Sequence, residues 1–250
     1  MSHEFPVPVP DDAAGFISEP DRPTGALATL ARIIGEHGAD RVALVTSFGA
    51  ESVVLLHLVS RIDRALPVLF VDTEMLFAET LAYQTDVADR LGLRDVRRIR
   101  PDAATLATRD TDGTLHRSDH DACCALRKTA PLDAALIGFD AWLTGRKRIQ
   151  GGARADLPEC EIDAAGRLKV NPLALWTKSD TRDYMDRYDL PRHPLVSKGY
   201  PSIGCAPCTT PVAAGEDERA GRWRGSAKTE CGIHIDTDGR IHRRTREQAA

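Results

Sequence analysis

Hydrophobic positions along the first hundred residues alternate between two spacings. GALATLARIIGEH (25–37) repeats its apolar residues at helical intervals and predicts an amphipathic helix. RVALVTS (41–47) is a continuous apolar, β-branched run that ends in small and polar residues, the pattern of a buried strand. ESVVLLHLVSR (51–61) has helical length and spacing, so the SFGA before it is a strand-to-helix turn. PVLFVDT (67–73) predicts a second buried strand and 76–91 a following helix, while DVRRI (95–99) and AWLTG (141–145) are weaker strands. Strands alternating with helices predict an α/β fold, a doubly wound, mostly parallel sheet with helices on both faces. Ligands of such sheets sit at the carboxyl ends of the strands where strand order switches, so chemistry is expected in the turns after 47, 73 and 145. From about residue 190 the periodicity dissolves into a loop-rich stretch.

Composition narrows the class. The 250 residues are 42% hydrophobic and 28% charged, enough for one large domain or two small ones. A net charge of −4 and a pI near 6.1 argue against a nucleic-acid partner. No apolar run approaches the roughly 18 residues of a membrane span. MSHEFPVPVPDD lacks the basic head and apolar run of a secretory signal, so a cytoplasmic location is expected. The chain is read as a disordered or extended lead-in (1–24), an α/β domain (25–204), a loop-rich segment (205–236) and a mobile basic tail (237–250).

Six cysteines then change the picture: Cys123, Cys124, Cys160, Cys205, Cys208 and Cys231. In a reducing compartment such a set serves metal or redox chemistry more often than disulfides. Cys205-Ala206-Pro207-Cys208 fits zinc or a four-iron cluster, and the adjacent pair Cys123-Cys124 is awkward for a zinc knuckle. Cys160 matches no motif and reads as a packing or incidental cysteine. The turn Ser47-Phe48-Gly49-Ala50-Glu51-Ser52 joins small residues and hydroxyls to a helix N-terminus, which suits a phosphate but also describes an ordinary capped turn. It lacks the Gly-Lys-Ser/Thr of a Walker A loop. Lys128 is either a surface lysine or a cation beside the cysteines, and the basic run Arg146–Arg154 is either solvated or ligand-facing.

Together these motifs resemble the adenylyl-sulfate and phosphoadenylyl-sulfate reductases, relatives of the PP-loop adenine-nucleotide α-hydrolases. SFGAES is similar to their nucleotide loop, and Asp72-Thr73 followed by Glu79-Thr80 is similar to their next strand. Cys123-Cys124 with GYPSIGCAPC resembles the four-iron four-sulfur (4Fe-4S) signature of the adenylyl-sulfate reductases, and Glu230-Cys231-Gly232-Ile233-His234 their terminal nucleophile motif. The likeness spans roughly residues 25–235. It departs at Ile149, where the family usually has an acid, at Gly151-Gly152, where it has Ser-Pro, and in a shortened stretch between Trp223 and Cys231.

The resemblance implies a thioredoxin-dependent reduction of adenosine 5′-phosphosulfate to sulfite and AMP, in assimilatory sulfate reduction. Cys231 would be the nucleophile and would carry an S-sulfonate. Cys123, Cys124, Cys205 and Cys208 would hold one 4Fe-4S cluster. Substrate contacts would come from Ser47, Phe48, Gly49, Ser52, Asp72, Thr73, Lys128, Lys147, Arg148, Arg154, Arg219, Arg222 and His234. With no second redox domain in the sequence, the reductant is expected to be a separate thioredoxin or glutaredoxin; the oligomeric state stays open, a homo-oligomer included. A 3′-phosphoadenylyl-sulfate reductase is the nearest alternative. A tRNA-thiolating PP-loop enzyme would show a stricter Ser-Gly-Gly-x-Asp-Ser loop and a more basic surface. A non-enzymatic iron–sulfur or zinc scaffold would leave Cys231 and its basic neighbours unexplained.

Overall fold

The computed structural model describes residues 22–226, 228 and 230. Cys231, His234 and the tail therefore lie outside the described residues, as does most of the lead-in. Helix α1 (Arg22–His37) buries Ala26, Leu30, Ile33 and Ile34, the single stripe that its spacing dictates. Strand β1 (Val42–Thr46), helix α2 (Ser52–Ser60), strand β2 (Val68–Val71), helix α3 (Ala78–Leu91), strand β3 (Val96–Ile99) and strand β4 (Ala141–Leu143) follow where the apolar runs predict them. Strands β5 (Cys160–Ile162) and β6 (Leu168–Val170) complete a six-stranded sheet in the order β3-β2-β1-β4-β6-β5. All neighbours run parallel except β5, which pairs antiparallel with β6 at the edge.

Both faces of the sheet are covered, because alternate strand residues enter two separate cores. Val42, Leu44, Val68, Phe70 and Leu143 join the larger core with α1, α2 and α3. Ala43, Leu69, Val71 and Trp142 point the other way, against Leu132 and Leu136. That second cover comes from a broken helical stretch: α4 (Ala103–Arg109), α5 (Leu115–Ser118), α6 (His120–Cys124), a π-helical turn (Ala125–Thr129) and α7 (Ala130–Ala135). Helix α8 (Lys178–Arg187) packs on the first face through Thr181, Tyr184 and Met185 and starts at a reciprocal Thr177–Asp180 cap.

Beyond α8 the described chain holds only single 3-10 turns, as its loss of periodicity predicts, yet it is firmly docked. Tyr83 Oη of α3 donates to the Pro191 carbonyl at 2.8 Å, and the Ala206 amide donates to the Met75 carbonyl at 2.7 Å. Cys160 is exposed at the start of β5, which removes the packing role from its reading as a packing or incidental cysteine. Strands β1, β2 and β3 progress in one direction while β4 lies on the other side of β1, so the switch in strand order opens between β1 and β4. Among the described residues no helix is long and apolar enough to cross a membrane.

Candidate active site

A cavity of about 230 Å³ occupies that switch point. Its floor is the turn after β1. Phe48 takes a left-handed backbone conformation (φ 49°), its amide donates to Thr46 Oγ1 at 3.0 Å, and its ring packs edge-on against Phe70 in the core. The aromatic ring thus anchors the turn from below while Ser47, Gly49 and Ser52 face the cavity. Ser52 Oγ donates to the Gly49 carbonyl at 2.7 Å, and Glu51 at the N-cap supplies no side-chain cap. The amides of Ser52 and Val54, in the first turn of α2, donate to the Gly49 and Glu51 carbonyls, each at 3.2 Å.

Cations surround this opening. Lys147, after β4, is buried with its Nζ 2.8 Å from Glu51. Arg154 donates in a fork to Glu230, Nε to Oε2 at 2.5 Å and Nη2 to Oε1 at 2.7 Å, and also donates to Gln150. Arg219 Nη2 lies 3.6 Å from the same carboxylate. Arg222 donates Nη1 to the Ile203 carbonyl at 3.3 Å and stacks 4.5 Å above the Trp223 ring. A Cβ at Gly204 would overlap the Arg222 guanidinium, so a larger residue there would have to displace that side chain.

A second, smaller space lies beside the first. Cys123, Cys124, Cys205 and Cys208 all line it, with Met75, Arg127 and Lys128. The first pair ends α6, and the second closes a 3-10 turn in which the Cys208 amide donates to the Cys205 carbonyl at 3.1 Å. Thr73 Oγ1 sits 3.2 Å from Cys205 Sγ. Burial, reinforced by the other three thiols, pushes Cys123 up to about 11. Burial and Cys205 also raise Cys208, against the opposing field of Lys128 and Arg222. Among the described residues no three His, Cys, Asp or Glu side chains close on a single ion. Four thiols around one space, with cations beside them, could serve as the donor set of a metal centre or an iron–sulfur cluster.

Lys128 and Cys205 belong to both walls. Lys128 reaches this position because the helix widens into its π turn directly after Cys124, a device frequent at functional sites. Arg127 on the same turn forks onto buried Asp110, at 2.6 and 3.0 Å, and donates to the Thr73 carbonyl at 3.0 Å.

The structure brings Ser47, Gly49, Ser52, Thr73, Lys128, Lys147, Arg154, Arg219 and Arg222 to one cavity. It does not bring Phe48, Asp72 or Arg148 to that wall. Phe48 is a core residue. Asp72 is buried and accepts from Arg98 and Arg100, at 2.7 and 3.0 Å. Arg148 donates to the Leu157 carbonyl at 2.8 Å. Glu51, Gln150, Gly204, Trp223 and Glu230 line the cavity without having been singled out from the sequence. Gly204 and Glu230 each precede a motif cysteine, a signal that could have found them, whereas Gln150 offered none.

Comparison with known proteins fits this geometry. The pattern of the phosphoadenosine phosphosulfate reductase domain matches residues 41–211. The chain belongs to the phosphoadenosine phosphosulfate reductase family. Within that family it is 53% identical over 196 residues to the adenosine 5′-phosphosulfate reductase of Mesorhizobium japonicum, covering 78% of this chain and 77% of the relative. It is 39% identical over 216 residues to the phosphoadenosine 5′-phosphosulfate reductase of Gloeobacter violaceus, covering 85% and 88%. The crystal structure of a phosphoadenylyl-sulfate reductase from Candida auris shares the fold with a TM-score of 0.59 at 24% identity, covering 74% of this chain and 96% of that one.

Proposed function

We propose that this family member reduces adenosine 5′-phosphosulfate to sulfite and AMP in sulfate assimilation. The observation that carries the reading is the shared wall: Lys128 and Cys205 face both the oxyanion cavity and the four thiols. The relatives' names supply the reaction, and the cation-lined cavity supports a phosphosulfate ligand.

Cys231 is the proposed nucleophile. Its neighbour Glu230 is buried in the cavity wall on Arg154. The Cys231 thiolate attacks the substrate sulfur, an S–S bond forms, the S–O bond to phosphate breaks, and AMP leaves with the electron pair. An external dithiol, thioredoxin or glutaredoxin, then attacks Cys231 Sγ. Sulfite leaves with that electron pair, and the second external thiol resolves the mixed disulfide. Sulfur is thereby reduced from the sulfate to the sulfite level as the dithiol is oxidised. AMP is a good leaving group, so the residues of this chain orient the phosphosulfate and stabilise charge on its oxygens. That Lys128, Lys147, Arg154, Arg219 and Arg222 line one cavity supports this role for them. Cys123, Cys124, Cys205 and Cys208 would hold one 4Fe-4S cluster, which when bound supplies a structural and electrostatic centre behind Lys128.

The test is sulfite release by anaerobically purified protein with thioredoxin, comparing adenylyl sulfate with its 3′-phosphorylated form. Preference for the unphosphorylated substrate, abolished by Cys231→Ser, is the expected result. Equal or reversed preference would move the substrate assignment to the 3′-phosphorylated compound, and no sulfite from either would overturn the reading.

A further inference from the structure

Behind the wall of the oxyanion cavity lies a cation that does not reach its surface. Thr144, Gly145 and Lys147 line the cavity, but Arg146 between them turns away from it and is 3% exposed. Its guanidinium sits between the chain segments that leave β4 and β6. There Nε donates to Asn171 Oδ1 at 3.1 Å and to Thr144 Oγ1 at 3.2 Å, and Nη2 donates to Glu161 Oε1. Lys169 of β6 reaches the same Glu161 oxygen at 3.6 Å and lies over the Trp142 ring at 4.8 Å. Thr144, Arg146, Glu161, Lys169 and Asn171 are all buried. Arg146 is thus neither solvated nor ligand-facing, the two readings its basic run allows. A buried ion pair is weak grounds for stability, because apolar residues of similar volume often hold a core as well. Charge is what they cannot supply. Burial lowers the Arg146 pKa against the pull of Glu161, yet a guanidinium keeps its proton.

We propose that Arg146 sets the anion affinity of the cavity from behind its wall, holding a positive charge near the nucleotide's oxyanion without touching it. The inference rests on the reading of that cavity as an adenylyl-sulfate site and adds to it a residue outside the lining. Arg146 Nε bonds Thr144, which is part of the wall. Its guanidinium lies within electrostatic range of Arg154 and Glu230, which pair with each other in the same wall. Between these groups the field crosses packed protein, where a charge acts further than in water and salt screens it little. Glu161 opposes Arg146, because a carboxylate on the guanidinium offsets part of its field. Removing either partner of a buried pair destabilises a fold, but the two removals change this field in opposite directions. A network that only braced the loop would respond to both in the same direction.

The test is calorimetric titration of holoprotein with AMP and, alongside, with adenosine. Arg146→Met removes the charge and keeps much of the volume, so AMP affinity should fall about fivefold while adenosine affinity stays within about twofold. Glu161→Gln removes the opposing charge and keeps the shape, so AMP affinity should rise by a similar factor even though the fold loses stability. Arg146→Lys keeps the charge without the bonds to Thr144 and Asn171, and should bind AMP within about twofold of wild type. These ratios should hold as salt is raised, because the charge is buried. Weaker or unchanged AMP binding in Glu161→Gln, or equal losses in Arg146→Lys and Arg146→Met, overturns the inference and leaves the reductase reading standing. Should Arg146→Met fail to fold, the other two variants decide: tighter binding in Glu161→Gln with Arg146→Lys near wild type supports the proposal, and any other pair of results overturns it. Wild-type protein that binds adenosine as tightly as AMP overturns the oxyanion cavity itself, and the inference with it. Absence of sulfite release from wild type removes the reductase reading instead, and leaves the AMP comparison intact.

Discussion

Two glycines, seventeen positions apart in sequence role rather than in space, separate binding from folding at the scale of single residues. A Cβ on Gly204 would meet the far end of the Arg222 side chain, which can swing away. A Cβ on Gly221 would meet the Thr210 carbonyl, which is fixed by the Thr210 amide donating to the Gly221 carbonyl at 2.9 Å. Gly204→Ala should therefore leave urea stability within about 1 kcal/mol of wild type while weakening adenylyl sulfate several-fold, because Arg222 is displaced. Gly221→Ala should cost about 1–3 kcal/mol of stability, because backbone must move. Denaturation midpoints and KM values, measured on both proteins, check the pair. Equal stability losses would show that Arg222 is not free to yield. Neither glycine has positive φ, so nothing in the local sequence distinguishes their needs; the close approaches come from segments folded onto them.

At the scale of elements, the strands that position the site were the legible ones. Strands β1 and β2 are buried on both faces, which forces a continuous apolar run that has no other reading. The stretch 103–135 was not legible. Helix α4 has no buried residue, α5 and α6 are single turns, and a π turn breaks the 3.6 period between α6 and α7. Strands β5 and β6 have three residues each and bury Glu161 and Lys169 as an ion pair, so neither shows an apolar pattern. The loop after α8 was read correctly as irregular, but its docking on α3 runs through polar atoms. There His193 Nδ1 accepts from the Leu195 amide at 3.2 Å, which leaves Nε2–H to donate to Thr80 Oγ1 at 3.1 Å. Burial lowers His193 to about 4, although Glu79, itself paired with Lys198, favours the proton. The folded value lies below the ordinary 6.5, so the stabilisation is complete above pH 6.5 and is lost as pH falls toward 4. One such histidine accounts for roughly 3 kcal/mol at most over that window. His193→Gln should lower stability at pH 7 and give a shallower decline from pH 7 to 5. Burial also takes His57 to about 4, and it keeps a residual slope in the variant. Urea midpoints across that range check it; parallel declines would remove His193 from the pH response.

The whole molecule assembles one charge site from widely separated parts of the chain. The thiol pairs and the β1–α2 turn were legible because each is a compact motif, whereas the acids paired with the arginines around them are not. Glu230 meets Arg154 across 76 positions, and Asp110 meets Arg127 across 17, pairings that only the finished fold creates. Glu230 occupies Arg154 and Arg219, which are proposed to meet the phosphosulfate, and it directly precedes Cys231 in the sequence. Its carboxylate must then act in two opposed ways. As an anion on Arg154 it competes with the substrate, so Glu230→Gln should bind AMP several-fold more tightly. As a buried, forked carboxylate next in sequence to the proposed nucleophile Cys231, it is expected to help position that thiol, so the same change should slow sulfite release about tenfold at saturating substrate. Arg154 would also lose its anionic partner in the ligand-free protein while keeping Gln150, and AMP should then raise the melting temperature of Glu230→Gln more than that of wild type. A merely structural role would weaken binding and turnover together. The divergence of AMP affinity and kcat, measured on one preparation, is what places Glu230 between the oxyanion and the nucleophile.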